Sequence, residues 1–236
     1  MYYVGAVFFD AAGTLIRAEP PVAEVYAQAL ADAGIHADMD DVGREFEAAW
    51  RRIRAEQPPG RPAYGSTEPA AMVWWRRVVR ESFEPFGLPD DFEGTFLALW
   101  EHFASGQAWR VYDDVLPTFE VLERRGKGIG LLSNWDARLF ALLDDLGLRK
   151  HMRWVIISAE VGVEKPHPGI FQRALADCGL PAEKVVHVGD SYAEDVLGAQ
   201  SVGIKAVWLR RSPHGGPAPQ GVAAITSLAE LPPLLA

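Results

Sequence analysis

Five short, almost wholly apolar runs constrain this chain more than any other feature: residues 4–9, 129–133, 154–158, 185–188 and 206–209. A strand with one wet face alternates apolar and polar side chains. A run without that alternation is buried on both faces, as the strands of a parallel sheet are. Segments 116–125, 137–147, 169–179 and 193–202 separate the later runs and carry apolar residues at helical spacing. Alternation of this kind predicts an α/β fold, a doubly wound parallel sheet of Rossmann-like type with right-handed crossovers.

Residues 17–109 break the alternation. Val22, Val25, Tyr26 and Leu30 make one helical stripe, Val42, Phe46, Trp50 and Ile53 a second, and Phe92, Phe96, Trp100 and Phe103 a third. Residues 72–83 also read as helix, apolar on more than one face. Trp50, Trp74, Trp75 and Trp100 are expected mostly in the core of this block, with one or two on a pocket. Segment 57–67 (QPPGRPAYGST) reads as a mobile loop and 210–221 (RRSPHGGPAPQG) as a second Pro/Gly loop. The expected organisation is an α/β core of residues 1–16 and 110–236, with a helical cap of residues 17–109 inserted after the first strand. Hinges are expected where the chain crosses between them, near 16–18 and 107–112.

Charge narrows the partners. Lys and Arg number 23 against 32 Asp and Glu, a net −9, which disfavours nucleic acid and anionic membranes. A phosphate-handling site in such a chain needs its positive charge supplied locally, by a metal or a few placed cations. No stretch approaches the ~20 apolar residues that span a bilayer, and the first apolar run has no basic leader of a signal peptide. Cys178 is the sole cysteine, which excludes an internal disulfide and suits a reducing compartment, so a cytoplasmic protein is expected. Nothing in the pattern specifies an oligomeric state.

In an open α/β sheet, ligands bind beyond the carboxyl ends of the strands. The first run leads into Asp10-Ala11-Ala12-Gly13-Thr14 and the second ends in Ser133-Asn134. The fourth leads into Gly189-Asp190-Ser191, with Asp195 just beyond, and Glu164-Lys165-Pro166 lies between the third and fourth. Two strand ends carrying acids, one carrying a hydroxyl and a nearby lysine suit metal-assisted transfer of an anionic group. Taken singly, each residue also has an ordinary structural use: aspartates cap helices, Ser133 satisfies a turn, Gly13-Thr14 makes one, and Lys165 is solvated. His187, mid-strand, reads as a core histidine rather than a ligand.

The four clusters, in this order and beside these strands, resemble the four motifs of the haloacid dehalogenase-like hydrolase superfamily. Leu132-Ser133-Asn134-Trp135-Asp136 and Gly189-Asp190-Ser191-Tyr192 are most similar to the group of haloacid dehalogenase-like hydrolase domain-containing protein 3 and rhythmically expressed protein 2. The resemblance implies a phosphohydrolase in which Asp10 attacks phosphorus and carries an acyl-phosphate. It implies Mg²⁺ held by Asp10, Asp190 and the backbone carbonyl of Ala12, with Asp195 supporting that shell from outside. Ser133 and the amide of Asn134 would hold phosphoryl oxygens beside the Gly13-Thr14 turn, and Lys165 would neutralise them. A small phosphorylated metabolite is the implied substrate.

One position departs from the family pattern. Family phosphatases usually carry a second aspartate two residues after the nucleophile, which protonates the leaving group and activates water; here it is Ala12. Such a loss costs ~10²–10⁴ in rate. Three functions therefore remain open: a slow phosphomonoesterase, in which Arg17, Tyr26 or an arginine near Arg51 contributes; a non-catalytic magnesium- and phosphate-binding module; and a 2-haloacid dehalogenase. Dehalogenases of the family lack the Gly-Asp pair retained here as Gly189-Asp190. The absence of lysine from residue 17 to residue 126 argues firmly against phosphonatase chemistry, which needs a cap lysine.

Overall fold

The apolar runs form strands of one parallel sheet. In the computed structural model, residues 4–58, 60–63, 65–211 and 218–235 are described. In chain order the elements are β1 (Ala6–Phe9), β2 (Ile16–Ala18), α1 (Val22–Asp32), α2 (Met39–Ala55), α3 (Glu68–Phe83), α4 (Phe92–Ala104), β3 (Trp109–Val111) and α5 (Val115–Arg124). Then follow β4 (Gly128–Ser133), α6 (Arg138–Asp145), β5 (Trp154–Ile157), α7 (Ser158–Val161), α8 (Pro168–Cys178) and β6 (Val185–Gly189). A π-helical turn (Tyr192–Leu197) leads into α9 (Gly198–Gln200), before β7 (Lys205–Leu209), β8 (Ala223–Ile225) and α10 (Leu231–Leu234).

The sheet order is β5-β4-β1-β6-β7-β8, and every pairing is parallel. β1 lies between β4 and β6, so the winding reverses at its carboxyl end, the place where open α/β sheets form a ligand crevice. Its run shows no alternation because both faces are dry. Val7 and Phe9 pack with Phe119, Leu131 and Val188 on one side, while Ala6 and Phe8 pack with Ile170 and Phe171 on the other.

β4 is bare where its neighbours are bulky. A Cβ on Gly130 would stand 2.5 Å from the Phe8 ring, and one on Gly128 2.6 Å from the Trp154 ring. Those two rings lie 5.6 Å apart, tilted, on the strands flanking β4. Gly130→Ala is expected to cost about 1–3 kcal/mol through overpacking, read as a lower midpoint in denaturant. An unchanged midpoint would mean that Phe8 moves aside freely.

Between β2 and β3, which pair antiparallel, helices α1–α4 bury a cluster of their own around Tyr26, Leu30, Val78, Phe83 and Phe96. Asp38, Thr67 and Asp91 accept backbone N–H groups at the starts of α2, α3 and α4, which satisfies donors that a helix otherwise leaves unpaired. With the Thr67 cap and Pro69 in the first turn, α3 begins at Glu68, ahead of the predicted 72–83. The loops predicted over 57–67 and 210–221 fall in part outside the described residues. No helix among the described residues is long and apolar enough to cross a membrane.

Candidate active site

Beyond β1 the chain turns back sharply. The N–H groups of Thr14, Leu15 and Ile16 all donate to the Ala11 carbonyl, at 3.2, 2.7 and 3.0 Å, and Gly13 N–H donates to Ile16 at 2.9 Å. Gly13 sits at φ +76°, and a Cβ there would come within 2.5 Å of Asp190 Oδ2. Glycine at this position therefore both forms the turn and lets the end of β6 approach the end of β1.

Two side chains converge on Asp10. Ser133 Oγ, at the end of β4, donates to Asp10 Oδ1 at 2.8 Å. Lys165 Nζ donates to the same oxygen at 2.7 Å and to Asp195 Oδ1 at 2.6 Å. Burial works against the charge on Lys165, but the two carboxylates outweigh it and hold the ammonium above its ordinary range. Among the described residues, Asp10 Oδ2 accepts no hydrogen bond.

Asp195 is shaped by the turn that carries it. The π-helical turn brings its carboxylate back beneath the end of β6, so close that a Cβ on Gly189 would lie 2.1 Å from Asp195 Cγ. Widened turns of this kind cluster at functional sites. Asp195 Oδ1 takes Lys165 and, at 2.8 Å, His187 Nε2, and Oδ2 accepts Ser191 N–H at 2.9 Å. Burial would raise this carboxyl; Lys165 and His187 prevail and hold it well below the usual carboxylate range. His187 is a core residue, as expected, and also holds Asp195 in place.

Asp190 is the acid least compensated. Thr14 Oγ1 is 3.5 Å from its Oδ1. The residue is exposed at the mouth of the crevice, yet protein and the carboxylates of Asp10 and Asp195 surround its side chain. Desolvation there, together with those two charges, pushes the carboxyl up to about 7. Oxygens of Asp10, Asp190 and Asp195 lie within 4.8 Å of one another. Three carboxylates face one ammonium, an imbalance that a divalent cation would remove. The donor set is all oxygen, which suits a hard cation. Asp10 and Asp190 have unclaimed oxygens, and the Ala12 carbonyl accepts no hydrogen bond among the described residues. The residues therefore fit Mg²⁺, whereas Asp195 spends both its oxygens on protein donors.

Asn134 has a role that the sequence did not disclose. Its Oδ1 accepts Lys165 N–H at 2.7 Å, and its Nδ2 donates to the Lys165 carbonyl at 3.0 Å and to Glu194 Oε2 at 2.9 Å. The side chain thus clamps the lysine loop. Arg54 of α2 extends this network, pairing with Glu194 at 2.7 Å and Glu164 at 3.1 Å. The sequence marked Glu164 only as the neighbour of Lys165 and did not mark Glu194. Of the arginines near Arg51, Arg54 reaches this loop. Arg17 instead pairs with Glu19 at 2.7 Å.

Over Asp10 lies a cavity of about 280 Å³. Asp10, Ala12, Ser133 and Asn134 lie on the sheet side, and Tyr26, Phe46, Trp50, Trp75, Trp100 and Phe103 on the helical side. Of the four tryptophans expected mostly in the core, Trp50, Trp75 and Trp100 line this cavity, and Trp74 is buried in the helical cluster.

Residues 4–203 match the haloacid dehalogenase-like hydrolase family. Haloacid dehalogenase-like hydrolase domain-containing protein 3 of Danio rerio is 33% identical over 207 residues, spanning 87% of this chain and 84% of that protein. Among solved structures, a HAD phosphatase from Thermococcus onnurineus is 28% identical with a TM-score of 0.67, covering 98% of both chains. A 2-haloacid dehalogenase from Pseudomonas syringae pv. Tomato DC3000 is 25% identical with a TM-score of 0.66, again over 98% of both.

Proposed function

Because the chain belongs to the haloacid dehalogenase-like hydrolase family, we propose that it is a magnesium-dependent phosphohydrolase working through an aspartyl-phosphate on a small phosphorylated metabolite. The observation that carries the reading is Asp10 Oδ1 held by both Ser133 and Lys165, with Asp190 across the crevice. In this reading residues 17–109 form the cap and residues 1–16 and 110–236 the core. The lone cysteine and net acidity support action in the cytoplasm, with neither nucleic acid nor membrane as partner.

Lys165 holds Asp10 aimed through its contact with Oδ1. The Asp10 carboxylate attacks phosphorus, the bond from phosphorus to the leaving oxygen breaks, and the electron pair departs with that oxygen. Water then attacks the phosphorus of the aspartyl-phosphate, the bond to Asp10 breaks with its electron pair returning to the carboxylate, and inorganic phosphate leaves carrying the protons of the water. Ser133 and the Asn134 N–H donate to phosphoryl oxygens while Lys165 offsets their charge. Mg²⁺ held by Asp10, Asp190 and the Ala12 carbonyl would supply further charge stabilisation when bound. With Ala12 in place of an acid, the leaving oxygen receives no proton from that position, and turnover is slow.

The test is release of phosphate from acetyl phosphate with Mg²⁺, together with labelled phosphate retained on acid-quenched chain. Label should be absent from Asp10→Asn. Ala12 favours a second reading, a binding module, which predicts Mg²⁺ binding with neither label nor release. Halide release from 2-chloropropionate without metal would instead support the dehalogenase reading that the Pseudomonas neighbour brings. Calorimetry should show Asp190→Asn weakening Mg²⁺ by about 10- to 100-fold; unchanged affinity would remove Asp190 from the metal site.

A further inference from the structure

Resting on the phosphohydrolase reading, we propose that the cavity takes an aromatic leaving group, so that the substrate class is phosphate monoesters of uncharged phenols with one or two rings. Three independent observations converge on this class.

The first is the wall. Phe46, Trp50, Trp75, Trp100 and Phe103 line the cavity above Asp10, and Trp109 and Trp135 line it too. Aromatic walls select a flat apolar guest by offset and edge-on ring contacts. They offer a polyol almost nothing to replace its water, and unmatched polar groups are costly to bury. The volume of about 280 Å³ lies at the small end of ligand pockets, enough for a mono- or bicyclic ring.

The second is charge. Away from the catalytic end, the ionic groups lining the cavity among the described residues are Asp136 and Arg138, and they satisfy each other. Arg138 Nε donates to Asp136 Oδ1 at 2.9 Å and Nη2 to Oδ2 at 2.8 Å. The guanidinium also lies 3.5 Å over the Trp100 ring. A second carboxylate or phosphate on the substrate would have to break that pair.

The third is chemical. Ala12, on the cavity side of the nucleophile, cannot protonate a leaving oxygen. When the phosphorus–oxygen bond breaks, a phenolate keeps the electron pair and takes its proton from solvent later. Phenols ionise near pH 10, so this departure needs little help, whereas an alkoxide needs an acid in the transition state. Wall and floor thus select the same ester.

Ester reactivity alone favours aryl substrates, so binding must be measured apart from turnover. With Mg²⁺ present, 1-naphthylmethylphosphonate should bind about 100-fold more tightly than propylphosphonate, by calorimetry and by quenching of tryptophan fluorescence. Trp75→Ala should cut that preference about tenfold, and Val22→Trp, which adds bulk to the cavity wall, should cut it as well. Equal affinity for the two phosphonates, or a preference untouched in both variants, overturns the proposal. The phosphohydrolase reading fails separately, if acetyl phosphate is neither hydrolysed nor leaves label on Asp10, and the phosphonate comparison still reports on the cavity in that case. Among substrates, 1-naphthyl phosphate should exceed glycerol 3-phosphate in kcat/KM; the reverse order would overturn the substrate class.

Discussion

Replacing Ala12 by aspartate should raise turnover of alkyl phosphates by ~10²–10⁴, the usual worth of a general acid and base. In barrier terms this is roughly 3–5 kcal/mol. Ala12 lines the cavity beside Asp10 and is itself exposed to it, so a carboxylate there meets no packed neighbour. The adjacent position has no such room, since a Cβ on Gly13 would strike Asp190. Aryl phosphates should gain much less, because phenolates leave without a proton. The gain should vanish in an Asp10→Asn background, where there is no nucleophile for the acid to assist. Steady-state kinetics with glycerol 3-phosphate and with 1-naphthyl phosphate read both arms. A folded, magnesium-bound Ala12→Asp protein that gains on neither ester would move weight to the binding-module reading.

Lys165→Met should damage both stability and chemistry. The ammonium is almost wholly buried, at 1% exposure, and is the cation between Asp10 and Asp195. Removing it leaves two carboxylates in a low-dielectric site without the ammonium between them, a change that typically costs about 3–5 kcal/mol. For a chain of this size that is a melting temperature lower by roughly 6–20 °C. Added Mg²⁺ should recover part of the loss, because the cation opposes the same negative charge. The loss should also shrink in an Asp195→Asn background, where one of the stranded charges is already gone. Turnover should fall by about 10²–10³ with the loss of one stabilising donor. A variant that melts with the parent protein would show that the ion pairs contribute nothing to the fold.

Asp10, Ser133 and Asp190 were legible because each is tied to a strand end by a short local motif. Strand burial on both faces erases alternation, so the runs at 4–9 and 185–188 announced a parallel sheet, and the residues after them fell at the crevice by topology alone. The resemblance to the hydrolase family rested on the same local segments, and the match over residues 4–203 confirms it. β2, β3 and β8 went unpredicted, since three residues are too few to show a period.

Local pattern, then, determined the sheet and which residues follow its strand ends, and the resemblance of those motifs gave the family. Tertiary structure alone decided what Asn134 does, since its side chain clamps a loop 31 residues away. It also decided that Arg54 ties α2 to Glu164, 110 residues on, and that Trp50, Trp75 and Trp100 face a cavity while Trp74 does not. A tryptophan in a helical stripe has the same spacing whether it meets another helix or the empty space above Asp10. The difference lies in the relative placement of distant segments, which non-local packing sets and no local period records.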